Sequence, residues 1–232
     1  MEADSRRRVA SITAGCAAAA LILLATGCAS SGRTPERKGL ENDPAYHLRW
    51  AIEQYQRGRY KEALESADRA IALKPDGYDL YNMRGLIYHA AGQPEQALAD
   101  FHKALEVNPY CTDAHNNLGV VLADTGRREE ALAEFAIVLR DPKYQFREKA
   151  HLNIGDVRAA DGKLEEAVQE YRQAIIIKPD YVRAHYKLGL ALQSLGRADE
   201  ARHSFDEVLR LAPQSNEARE VKGILQHGTS PS

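Results

Sequence analysis

The side chains best suited to chemistry in this 232-residue chain are eight histidines and three cysteines. Four of the histidines, His47, His115, His151 and His185, occupy one position of a recurring segment, and Tyr81 fills it in a further copy. Neighbouring helices in a stack lie about 10 Å apart. A zinc ion needs its imidazole nitrogens at about 2 Å, so the spacing favours a partly buried packing role over joint ligation. The sequence has no HExxH, phosphate-binding Walker loop or CxxC. No Ser-His-Asp set can be argued from it. Neither a metal nor a cofactor is expected, no catalytic residue is assigned, and the chain reads as a binding scaffold rather than an enzyme.

The cysteines are Cys16, Cys28 and Cys111. The first two fall in a stretch of targeting type, with Arg6-Arg7-Arg8 ahead of a mostly apolar run from Val9 to Ala25. Processing of that stretch leaves Cys111 without an internal disulfide partner. It is expected as a half-buried small residue at a repeat junction. The chain is 44% hydrophobic and 28% charged. That composition is enough for a sizeable core. A formal net charge of -2 gives no basic excess to suggest nucleic acid.

The elements that must position these residues repeat. Gly85 to Gly119 and Gly155 to Gly189 each span a period of about 34 residues, and Gly119 to Gly155 is two residues longer. A second glycine follows seven residues after each: Gly92, Gly126, Gly162 and Gly196. Then come an alanine (Ala97, Ala131, Ala167, Ala201) and an aromatic (Phe101, Phe135, Tyr171, Phe205). Pro75, Pro109, Pro179 and Pro213 close most units. The first glycine lets helix A approach helix B, and the second ends helix A in a tight turn. The alanine permits close approach, the aromatic fills space between units, and the proline stops helix B.

This pattern resembles the tetratricopeptide repeat (TPR), over roughly residues 44–226. The resemblance implies an all-α, right-handed solenoid of helical hairpins with one continuous core. The units are placed at 44–77, 78–111, 112–147, 148–181 and 182–215, with a capping helix at 216–226 and a disordered tail at 227–232. The first is degenerate, with Trp50-Ala51 for Leu-Gly and Ala67 for the aromatic. The third carries two extra residues around a displaced Pro142.

The segment Leu24-Ala25-Thr26-Gly27-Cys28 resembles a bacterial lipobox. That resemblance implies a signal peptide at 1–27, diacylglycerol on Cys28, and a flexible tether at 28–43 with a reach of about 20 Å. Cys16 also follows small residues, but a long apolar run comes after it. Ala29 behind Cys28 implies sorting to the periplasmic face of the outer membrane. The alternative is an uncleaved inner-membrane signal anchor spanning Val9 to Ala29.

The junction Arg140-Asp141-Pro142-Lys143-Tyr144-Gln145, with Asn116-Asn117-Leu118-Gly119 before it and Asn153-Ile154-Gly155 after it, is similar to the type IV pilus pilotins. That likeness implies an envelope partner, an outer-membrane secretin, whose localisation or assembly the chain would assist. A scaffold for peptidoglycan hydrolases or polysaccharide-export machinery is the alternative.

In the TPR family helix A lines the concave face. The exposed positions expected there include Asn82, Leu86, Asn116, Asn117, Val120, Asn153, Asp156, Arg183, Tyr186 and Lys187. Asn117 and Asn153 hold one position in successive units, and a carboxamide both donates and accepts. A ladder of them would pair with an extended peptide, with Leu86 and Val120 giving apolar contact. Arg183, Lys187 and Asn153 partly resemble a peptide-carboxylate clamp. Solvated bases are the favoured account of them.

Overall fold

The computed structural model describes residues 41–227. The segment expected as a signal peptide, Cys28, and residues 29–40 and 228–232 lie outside the described residues. Every regular element described is an α-helix. They run α1 (Pro44–Gln56), α2 (Tyr60–Leu73), α3 (Tyr78–Ala90), α4 (Pro94–Val107), α5 (Thr112–Asp124), α6 (Arg128–Arg140), α7 (Arg147–Ala160), α8 (Leu164–Ile177), α9 (Val182–Ser194), α10 (Ala198–Leu211) and α11 (Asn216–His227). The chain divides after Gly126 into two compact units, the first holding α1–α5 and the second α6–α11.

Odd- and even-numbered helices play different parts because their sequences differ. Gly58, Gly92, Gly126, Gly162 and Gly196 each follow an odd-numbered helix with φ between 72° and 82°. That region disfavours a Cβ, so these glycines let the chain reverse after helix A. The other glycine set acts through space. A Cβ built on Gly85, Gly155 or Gly189 would lie 2.7, 2.5 or 2.4 Å from the ring of Phe101, Tyr171 or Phe205. Each aromatic is therefore laid against the glycine of its own hairpin, and the missing side chain sets the distance between helices A and B.

In the first unit Tyr81, Ala104 and Ala114 form a buried cluster, with Ile71, Leu105 and Cys111 packed on it. Burial raises the pKa of the Cys111 thiol above its ordinary value and keeps it protonated. In the second unit the core runs through Leu152, Val168, Tyr171, Leu188, Leu192, Phe205, Val208 and Val221. Val221 brings α11 into that core. The sequence put residue 227 in the tail, whereas His227 closes α11.

The tether assignment also needs correction at its end. Asp43 caps α1 by accepting from the Ala45 amide at 2.9 Å, and the Glu41 carbonyl bonds His47 Nε2 at 3.0 Å. Residues 41–43 therefore belong to the folded part. A side-chain cap and a buried imidazole fix them in place.

Candidate functional site

The recurring histidine position makes hydrogen bonds as well as packing contacts. Tyr81 donates its hydroxyl to the Pro75 carbonyl at 3.0 Å. His115 and His185 bond the carbonyls of Pro109 and Pro179 at 3.1 and 2.9 Å. Each acceptor lies six residues earlier, where the preceding helix B has ended. The side chain thus fastens the start of one helix A to the end of the helix B before it. His151 has no proline six residues back, because the two-residue insertion displaces Pro142. Its Nδ1 pairs with the Glu170 carboxylate on α8 at 2.7 Å instead. Among the described residues no group of three or more metal-capable side chains forms.

The helix A side chains expected on the concave face, here called inward, are mostly closed in the first unit. Leu86, Asn116, Asn117 and Val120 are 8%, 5%, 6% and 8% exposed. Their assignment as exposed contact residues is therefore corrected. Position alone marked them as exposed, but these medium-sized side chains fill seams instead. Asn117 on α5 donates to Asn82 on α3 at 3.0 Å. The carboxamide ladder of this unit therefore pairs Asn82 with Asn117 by an internal bond. Of the five residues assigned here, only Asn82 remains half-buried.

Behind that face lies a three-helix staple. Arg84 on α3 grips Asp100 on α4 through two bonds of 2.7 Å and reaches Asp68 on α2 at 2.7 Å. The bidentate geometry is the strong form of a guanidinium–carboxylate pair. The hydrogen bonds that Arg84 donates to Asp100 outweigh burial and drive the Arg84 pKa upward, so it stays charged.

The second unit keeps its inward residues half-buried, and three of them are charged. Asp156 on α7 is met by one hydroxyl donor and two cations. The Tyr171 hydroxyl from α8 bonds it at 2.8 Å, and Lys187 Nζ from α9 lies 3.1 Å away. Arg183, one turn earlier on α9, is 4.0 Å away. Asp156, Arg183 and Lys187 are between 23% and 31% exposed, so water and a ligand can reach them. Tyr186 extends the same helix face and donates to Glu220 on α11. Burial, reinforced by the Asp156 charge, holds the Tyr171 phenol well above its ordinary range. Burial and the bond to Glu220 do the same for Tyr186. Asn153 lies half-buried on α7.

The roles of Tyr171 and Glu220 escaped the sequence reading. A signal for Tyr171 was present. Phe101, Phe135 and Phe205 fill the aromatic position elsewhere, and Asp156 alone is acidic among the residues after the inter-helix glycines. The odd hydroxyl and the odd carboxylate fall in the same repeat, as a bonded pair would require. Glu220 had no such signal, because its helix lies outside the repeat.

Comparison with known proteins follows from this geometry. Profiles described as tetratricopeptide repeat match residues 51–117, 90–145 and 182–215, and one described as TPR repeat matches residues 155–196. A structure from a study of Pseudomonas aeruginosa pilF superposes with a TM-score of 0.71 at 18% identity, over 81% of this chain and 86% of that one. PilW, described as a widely conserved type IV pilus biogenesis factor, gives 0.68 at 22% identity, over 79% and 92%. YrrB, described as a TPR protein with an unusual peptide-binding site, gives 0.57 at 21% identity, over 80% and 96%. No curated protein sequence matches the chain.

Proposed function

We propose that this chain, which belongs to the tetratricopeptide-repeat family and has its all-α solenoid fold, is a lipid-anchored adaptor that captures a segment of another envelope protein. It is a scaffold, and its work is binding rather than turnover. The observation that carries this is the second unit's inward face, where Asn153, Asp156, Arg183, Tyr186 and Lys187 are half-exposed on two helices of adjacent repeats. Side chains on rigid helices are placed more exactly than on loops. Two cations facing one carboxylate also leave that face attractive to a further anionic or amide group.

The partner we favour is a type IV pilus secretin of the outer membrane. Support comes from the fold shared with two pilus proteins and from the Asp141-Pro142-Lys143-Tyr144 junction. In that junction Asp141 accepts from the Lys143 amide at 3.0 Å, and the Tyr144 amide donates to the Asp141 carbonyl at 3.3 Å. Lipid on Cys28 would fix the protein at the periplasmic face of the outer membrane. No described helix is long and apolar enough to cross a membrane.

The test is cross-linking in cells, followed by pull-down from detergent-extracted envelopes and mass spectrometry. A secretin as the dominant capture is the expected result, with loss of secretin multimers in a Cys28→Ser strain. Capture of hydrolases or export proteins without secretin would replace the pilus reading. Full function from a soluble Cys28→Ser protein would remove the tethering mechanism.

A further inference from the structure

The first helix has a face that its repeat position says should be covered. In the other four repeats the residue equivalent to Trp50 is Arg84, Leu118, Ile154 or Leu188. Leu118, Ile154 and Leu188 are 1%, 8% and 7% exposed, and Arg84 is held in the staple. Trp50 is 37% exposed. The stacking surface of the first unit therefore presents a large aromatic where later repeats present a packed aliphatic.

The surrounding residues are not those of a repeat interface. Tyr46, Glu53 and Arg57 share one side of α1 and its C-terminal cap with Trp50, at the three- and four-residue spacings that put side chains on one face. Arg49 flanks them. The buried side, His47, Ala51, Gln54 and Tyr55, points elsewhere. Arg49 lies 4.0 Å from Asp43, and Arg57 pairs with Glu53 at 2.6 Å. Both pairs are solvent-exposed, so little is lost in exchanging them for another anion. The helix at the opposite end of the chain differs. Its exposed residues include Arg219, Glu220 and Lys222, a polar cap with no aromatic.

We infer that the outer face of α1 seats in the headgroup layer of a phospholipid membrane. Trp50 and Tyr46 would enter the interface, and Arg49 and Arg57 would meet lipid phosphates. Indole and phenol rings favour that layer because one end is apolar and the other hydrogen-bonds. This inference rests on acylation at Cys28. The described fold begins at Glu41, a short way along the chain from Cys28. Twelve residues, 29–40, separate the two. Acylation would therefore place α1 nearer to the bilayer along the chain than any other described helix.

Trp50 is the only tryptophan in the chain, so its emission reports this one contact. The acylated full-length protein is reconstituted into phosphatidylethanolamine–phosphatidylglycerol vesicles, with the full-length Cys28→Ser protein in buffer as reference. The expected result is a blue-shifted emission, strong quenching by a headgroup nitroxide lipid, and protection from aqueous iodide. Replacing both arginines (Arg49→Gln with Arg57→Gln) should return quenching toward the reference while circular dichroism is unchanged. Protein that floats with vesicles yet keeps reference emission and iodide access overturns the inference and leaves anchoring intact. Protein that does not float overturns the anchoring and this contact together. A blue shift in the reference that grows with protein concentration would assign the face to a second copy and overturn it too.

Discussion

The inward faces of the two units are built from the same repeat positions and end in opposite states. In the first unit Asn82 and Asn117 satisfy one another, and Leu86 and Val120 close around them. In the second, Asp156, Arg183 and Lys187 form a half-exposed charged cluster. A neutral amide pair sealed by aliphatic groups contributes rigidity. A partly hydrated charged cluster contributes attraction at a distance. The repeat specifies where a side chain sits, and the chemistry of that side chain decides whether the place becomes seam or site.

The sharpest way to break this comparison is at the staple. Arg84→Ala leaves the Asp100 carboxylate, 8% exposed, without its cation. The expected loss is about 3 kcal/mol in urea unfolding. The second unit suggests the rescue, because Leu188 and Ser204 stand at the equivalent positions. Arg84→Leu with Asp100→Ser should recover most of the loss. A double variant no better than the single one would mean the two units do not tolerate the same substitutions.

Next is the glycine–aromatic contact. Gly189→Ala places a Cβ 2.4 Å from Phe205. Overpacking of that kind has an expected cost of about 2 kcal/mol. Gly162→Ala meets nothing within 4 Å and strains only its positive φ. For that change about 1 kcal/mol is expected. Calorimetry on both variants separates contact from backbone conformation.

A smaller effect is expected at the charged cluster. Asp156→Ala removes the acceptor of Tyr171 and should cost about 1 kcal/mol. Tyr171→Phe with Asp156→Ala should be close to wild type, since phenylalanine serves three other repeats. The same double variant should alter partner affinity, which changes at the Asn82–Asn117 pair would not.

The smallest effect is in pH. Burial pushes Tyr181 up to about 12 and Tyr171 higher still. A folded pKa above the unfolded one means the native state holds its proton longer. The stabilisation is complete below the unfolded value of about 10 and is lost as pH rises through the folded values. Unfolding midpoints should fall above that point, and less so in Tyr171→Phe.

Much of this fold could be read from the sequence because it depends on few residue types at fixed intervals. Glycine, alanine, aromatic and proline each have one physical reason to recur. The site was less legible. Exposure at Asn116, Asn117 and Val120 depends on how neighbouring side chains fill the seam, and a repeat position does not encode that. The Asn82–Asn117 bond joins residues one repeat apart, and either could have paired elsewhere. The Pro-carbonyl bonds of His115 and His185 depend on a proline six residues back, which is visible once the pairing is known. Glu220 met Tyr186 from a helix that the repeat does not contain.

The central claim is that the second unit's inward face captures the partner. A photo-activated cross-linking residue placed singly at Asn153, Tyr186 or Lys187, with Gln173 and Arg202 as outward controls, tests it directly in cells. The account predicts adducts to one envelope protein from the inward positions and none from the controls. Adducts from Gln173 or Arg202 alone would contradict it and move the binding surface to the other side of the second unit.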